Sequence, residues 1–180
     1  MLAASPHHQP CIGASTGFVF ICPGRHEANR GFPCAAGTGA NLNRVLAVLN
    51  ARDPGLFGSA SRSQYVVTNS WPKVEYPALT GRSVPTEAEV LEPANLARLA
   101  AELAGLKVIV ACGQQAQAAL CALQAGAVPG YSLIGARLAF GRHLSQRSVN
   151  MIPGASDTPG RIALWCGAVL QQLQAPAQGL

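Results

Sequence analysis

Short apolar runs alternate along this chain with segments of helical spacing, and each run stops at a polar turn. The sharpest is Phe18-Val-Phe-Ile-Cys22, which breaks at Pro23-Gly24. Two Arg, one His and one Glu follow before the chain has passed Arg30. Residues 18–22, 64–69 and 107–112 read as buried strands because they are short, apolar and rich in β-branched or aromatic residues. Residues 138–140 read as a shorter fourth strand leading to His143. Helical spacing fills the gaps. Leu42, Val45, Leu46 and Leu49 share a face over about residues 40–50, and Asp53-Pro-Gly ends that helix. Pro85-Thr86 with Glu89 has capping-box spacing. Pro93 then requires either a kink or a short turn before the helix carrying Leu96, Leu99 and Leu103. Further helices are expected from Gly113 through Leu123, capped by Gly126, and from Arg161 to about Gln174. Strand–helix alternation of this kind predicts an α/β fold: a three-layer αβα sandwich around a mostly parallel, four-stranded sheet.

Ligands of open parallel sheets sit beyond the strand ends, so three segments carry the functional expectation. Residues 23–39 form a long loop with Arg25, His26, Glu27, Arg30 and several glycines. It is neither a dinucleotide fingerprint nor a Walker loop. Its glycines let backbone approach a ligand, although an ordinary solvated loop has the same composition. Thr68-Asn69-Ser70-Trp71 ends the second strand. An Asn there offers a donor and an acceptor to one amide edge, as a pyrimidine requires, or it caps a turn. Trp71 stacks on a base or packs. The third segment, residues 141–150, sets His143 among Arg142, Ser145, Arg147 and Ser148. It reads as a loop able to touch phosphates, with a histidine able to donate to developing negative charge. A nucleophilic-serine hydrolase is disfavoured by the missing GxSxG elbow and the scarcity of Asp.

With 180 residues, 49% of them apolar, the chain supports one domain, expected over residues 17–174. Residues 1–16 read as a flexible leader and 175–180 as a frayed tail. The net charge of +5 comes from 13 basic and 8 acidic residues, and suits a nucleic-acid backbone or simply a slightly basic surface. Six cysteines show no CxxC pair and no zinc-type spacing, so free thiols in a reducing cytoplasm are expected, with Cys34 exceptional in its polar loop. No metal or cofactor is expected. No stretch has the length of a membrane span, and the N-terminus lacks a signal-peptide pattern. The apolar stripes are all needed for the core, which leaves a monomer as the expected state.

In order and spacing, the three segments resemble the uracil-DNA glycosylase superfamily from about Phe18 to Leu170. The first is most similar to the thermophile-type bacterial branches. Cys22-Pro23-Gly24 resembles their strand-ending turn, and Gly39-Ala-Asn-Leu42 resembles their helix start. His26, Asn29 and Arg30 match a His-x-x-Asn-Arg pattern of one branch. Val66-Val-Thr-Asn69 resembles the strand whose Asn reads the flipped base, and Pro85-Thr86-Glu87 the start of the next helix. Val108 to Gly113 resembles the third core strand and its turn, and His143-Leu-Ser145 the His-Pro-Ser motif.

The resemblance implies hydrolysis of an N-glycosidic bond in DNA, releasing uracil or another deaminated base and leaving an abasic site. It implies that His143 stabilises the departing base and Asn69 holds its edge, with Glu27 as a substitute water-orienting carboxylate. Cys22, Pro23, Gly24, Phe32, Cys34 and Asn69 would line the base pocket. Arg25, His26, Arg30, Lys73, Arg142, Ser145, Arg147 and Ser148 would meet the DNA, with Arg147 and Ser145 either gripping phosphates or filling the vacated stack. The chain departs from the pattern at several positions. Ile21 stands where a polar, water-holding residue is common, and Ala36 where one branch carries an acid. Cys34 replaces a base-stacking Phe, with Phe32 near enough to substitute, and Leu144 replaces Pro. The iron–sulfur cysteines are absent and Lys73 occupies one of their slots, so no cluster is expected. Two other functions stay open: a non-catalytic binder of damaged or single-stranded DNA, and a hydrolase of free nucleosides.

Overall fold

The computed structural model describes residues 4–131, 133 and 135–175. Residues 176–180 of the expected tail and 1–3 of the expected leader lie outside that range. The fold is α/β, with a five-stranded sheet that is mostly parallel and surrounded by helices. In chain order the elements are β1 (His8–Gln9), β2 (Thr16–Phe20), α1 (Arg25–Arg30), α2 (Gly37–Arg52), β3 (Val66–Asn69), α3 (Pro77–Thr80), α4 (Glu87–Val90), α5 (Pro93–Glu102), β4 (Val108–Cys112), α6 (Gln114–Gln124), β5 (Arg137–Gly141), α7 (Gln146–Asn150) and α8 (Thr158–Gln174).

The strand order is β1-β3-β2-β4-β5. Strands β2 to β5 run parallel, and β1 pairs antiparallel with β3, His8 opposite Thr68 and Gln9 opposite Val67. The sheet therefore has five strands where four were expected, and the extra one comes from the segment expected to be a flexible leader. An uncovered β3 edge would present a row of backbone donors and acceptors. The β1 segment pairs with them, and Gln9 Nε2 also donates to the carbonyls of Arg62 (3.0 Å) and Tyr65 (3.3 Å). A two-residue His-Gln strand has no periodicity to read. At the opposite edge, the Gln172 amide accepts from Phe140 N–H (2.9 Å) and donates to Phe140 C=O (3.0 Å), closing β5 with a side chain.

Side chains alternate across the pleat. Phe18, Phe20, Val67, Val110 and Cys112 join α2 and α8 in one apolar cluster. Val19, Val66, Ile109 and Ala111 join α4, α5 and α6 in another. The helix before Pro93 is a separate short turn: Thr86 caps α4, accepting from Glu89 N–H (3.3 Å), and Pro93 opens α5. Three helices, α1, α3 and α7, lie inside segments expected to be loops, α3 within residues 70–85. In α1, Gly24 is the N-cap and Glu27 reaches back to its N–H (3.0 Å); in α7, Ser145 Oγ accepts from Ser148 N–H (3.3 Å). Cys34 is buried, not loop-exposed, while Cys121 is exposed. Among the described residues no helix is long and apolar enough to cross a membrane.

Candidate active site

Because β2, β3, β4 and β5 are parallel, the chain leaves all four at the same edge of the sheet. The connection after β2 runs to β3 on one side, and the one after β3 returns to β4 on the other. The carboxyl ends of β2 and β4 therefore mark a topological switch point, where open α/β sheets place their ligands. A cleft of about 550 Å³ lies there, lined by Ile21 after β2, Gly113 after β4, and Phe140, Arg142, His143 and Ser148 from β5 onward. Gly113 has φ +110, and a Cβ there would stand 2.7 Å from Ile21 Cδ1, so a glycine is needed for these two turns to close on each other.

His143 has the best-defined chemistry in the cleft. Its ring stands edge-on to Phe20, with centroids 5.8 Å apart. Burial depresses its pKa below the ordinary 6.5, and the nearby Glu27 carboxylate only partly opposes this. The Ser145 N–H donates to Nδ1 at 3.0 Å. A neutral imidazole whose Nδ1 accepts must carry its proton on Nε2. Among the described residues Nε2 has no protein partner, and it is not sealed from solvent.

The turn carrying His143 is fastened on three sides. Trp165 of α8 donates from Nε1 to the Arg142 carbonyl (2.9 Å), and its ring lies so close to Gly141 that a Cβ there would meet it at 2.5 Å. Asn41 of α2 donates to the Leu144 carbonyl (2.9 Å). Leu144 is fully buried in the first apolar cluster. None of Asn41, Trp165 or Gly113 stood out in the sequence as a site residue. The only signal for Asn41 was a polar residue on the same helical stripe as Val45 and Leu49.

The other expected residues divide clearly. Glu27 is close enough to His143 to affect its charge, but each carboxylate oxygen already accepts a backbone N–H: Oε2 from Gly24 at 3.0 Å and Oε1 from Ala35 at 2.9 Å. It therefore ties the loop after β2 into shape. Asn69 is buried at the end of β3, with Nδ2 donating to the His7 carbonyl (3.1 Å), and it does not line the cleft. Pro23 is buried and its carbonyl accepts from Glu75 N–H (2.9 Å). Cys22 is half-buried, and burial pushes its thiol up to about 12; burial also raises the Cys34 thiol. Both are protonated at neutral pH. Cys34 adopts a positive φ of 54, and its carbonyl accepts from Arg62 Nη1 (2.5 Å). Phe32 faces a different depression, beneath the Arg62 guanidinium at 5.3 Å.

The expected DNA-contacting residues follow the carboxyl ends of β2, β3 and β5. Arg25 is exposed over the Tyr76 ring (5.1 Å) and Lys73 over the Trp71 ring (5.0 Å). Trp71 itself is buried, so it packs. Arg30 is exposed and donates to the Ala35 carbonyl. His26, Arg142 and Arg147 are exposed; Ser145 and Ser148 are partly covered at the start of α7. Among the described residues no group of three or more His, Cys, Asp or Glu could hold a metal ion. No protein-family model and no curated protein matches this chain.

Proposed function

We propose that this protein is a DNA glycosylase that hydrolyses the N-glycosidic bond of uracil or another deaminated base. The observation that carries the reading is His143: neutral, proton on Nε2, at the switch-point cleft, beside Arg142. As the bond to C1′ loosens, negative charge gathers on the base and positive charge on the sugar. A neutral N–H aimed at the base carbonyl stabilises that charge where it develops. Water adds to C1′, the base leaves and takes up a proton, and an abasic site remains. Arg25, Arg30, Arg142 and Arg147 supply phosphate contacts. The reading includes a three-layer αβα arrangement, supported by the apolar clusters on opposite faces of the sheet, and a cytoplasmic monomer.

Asn69 and Glu27 favour a second reading. Asn69 stands outside the cleft with Nδ2 given to His7, both Glu27 oxygens are taken, and Ile21 is apolar, which leaves base recognition and water activation without a dedicated group. A DNA-binding protein that does not cleave would have this arrangement. Oligonucleotides carrying uracil, hypoxanthine, xanthine or a normal base, single-stranded and in duplex, separate the two. The glycosylase reading expects lesion-specific alkali-labile sites with the wild type and none with His143→Ala. Salt-sensitive binding without base release would select the binder. Release from free nucleosides, insensitive to salt, would select a small-molecule hydrolase.

A further inference from the structure

We infer that Asn41 is the positioning residue that sets the tautomer of His143, acting through one peptide unit; its effect on catalysis rests on the glycosylase reading, whereas the tautomer assignment does not. Asn41 is fully buried as the fifth residue of α2. An amide in that setting is costly unless its hydrogen bonds are made. They are: Nδ2 donates to the Leu144 carbonyl at 2.9 Å and to Gln146 Oε1 at 3.3 Å, and Oδ1 accepts from Arg44 Nη1 at 2.7 Å. The Leu144 carbonyl and the Ser145 N–H belong to the same planar peptide unit. Holding the oxygen therefore fixes where the N–H points. It points at His143 Nδ1, 3.0 Å away. That bond keeps Nδ1 an acceptor and the proton on Nε2. If the peptide turned, the ring could move its proton to Nδ1 and face the cleft with a lone pair. It could then no longer donate to an anionic oxygen.

A purely structural role fits less well. The turn is already anchored by Trp165 on the Arg142 carbonyl and by the buried Leu144 side chain. Among the described residues, only Asn41 holds the peptide unit whose N–H meets the imidazole.

Asn41→Asp tests this. The shape and the Arg44 partner are kept, but an ionised carboxylate accepts only and repels the Leu144 oxygen. The readout is the pair of His143 ring-nitrogen NMR shifts at about pH 8, where the ring is neutral, assigned by their loss in His143→Gln. The wild type is expected to show Nδ1 unprotonated and Nε2 protonated; Asn41→Asp is expected to mix or reverse that pattern. Trp165→Phe, which removes the neighbouring bond in the same turn, is expected to keep it. If Asn41→Asp does not fold, Asn41→Leu removes the same donor, fills the space and carries the same expectation. An unchanged tautomer in the Asn41 variant, or an equal change in Trp165→Phe, would overturn the proposal. In base release, kcat of Asn41→Asp should fall roughly 100-fold with KM unchanged, within the range of a positioned proton donor. A wild type that releases no base ends the glycosylase reading and leaves the NMR pattern to decide this one.

Discussion

His143 was legible in the sequence as a histidine among short polar residues after a strand, but its working state was not. Burial against Phe20 and the N–H of Ser145 are long-range and backbone effects that no spacing reports. They have a pH consequence. The folded pKa lies below 6.5 while the unfolded ring titrates near that value. Between the two, the unfolded chain binds a proton that the folded chain does not. Stability therefore declines as pH falls below about 6.5, and His8, lowered mainly by burial, adds to it with the same sign. Denaturant midpoints across that window should fall less steeply in His143→Gln than in the wild type. Gly39 gives a second prediction at this scale. A Cβ there would stand 1.9 Å from the Cys34 carbonyl oxygen, which is backbone and has little room to give. Gly39→Ala should cost about 3 kcal/mol by chemical denaturation, at the upper end for overpacking. In the sequence Gly39 read as part of a glycine-rich loop and, by resemblance, as a helix start, with nothing to report its approach to Cys34.

At the scale of elements, strands with continuous apolar runs and helices with a clear stripe were readable: β2, β3, β4, α2, α5, α6 and α8 all have a sequence expectation close to their place. The elements that escaped are short and held by contacts rather than by pattern. α1 exists because Gly24 and Glu27 close a capping interaction, α7 because Ser145 caps it, and β1 because an open edge needed covering. β1 is also clipped by a charged cluster. Glu102 accepts from Thr68 Oγ1 (2.5 Å) and Arg98 Nη1 (2.6 Å) and lies 3.2 Å from His7 Nε2. Burial opposes its ionisation, but bonds from His7 and Thr68 and the charge of Arg98 hold it at about 2. Glu102→Gln should destabilise the protein by about 2 kcal/mol at neutral pH, as for lost hydrogen bonds to a charged group. The carboxylate's contribution is complete above its ordinary value of 4.5 and disappears as pH falls toward about 2. The difference between wild type and variant should shrink over that interval.

For the whole molecule, the alternation of strands and helices made the parallel sheet readable, and with it the edge where function belongs. What the alternation could not supply is the strand order, which places the switch point between β2 and β4. Nor could it say which strand-end residues face the cleft. Asn69 illustrates the gap. As sequence it is a free amide at a strand end; in the fold the neighbouring β1 segment takes its Nδ2. Glu27 is similar, an acidic loop residue whose oxygens are used to shape the loop. His143 is left as the group on which the account depends. The most direct test is single-turnover release of uracil from an oligonucleotide saturated with protein, comparing wild type with His143→Gln. The account predicts measurable release by the wild type and a loss of roughly 10²–10⁴-fold in the variant, with DNA affinity unchanged. Equal rates in the two proteins would contradict it, as would no release by the wild type from uracil or any other deaminated base.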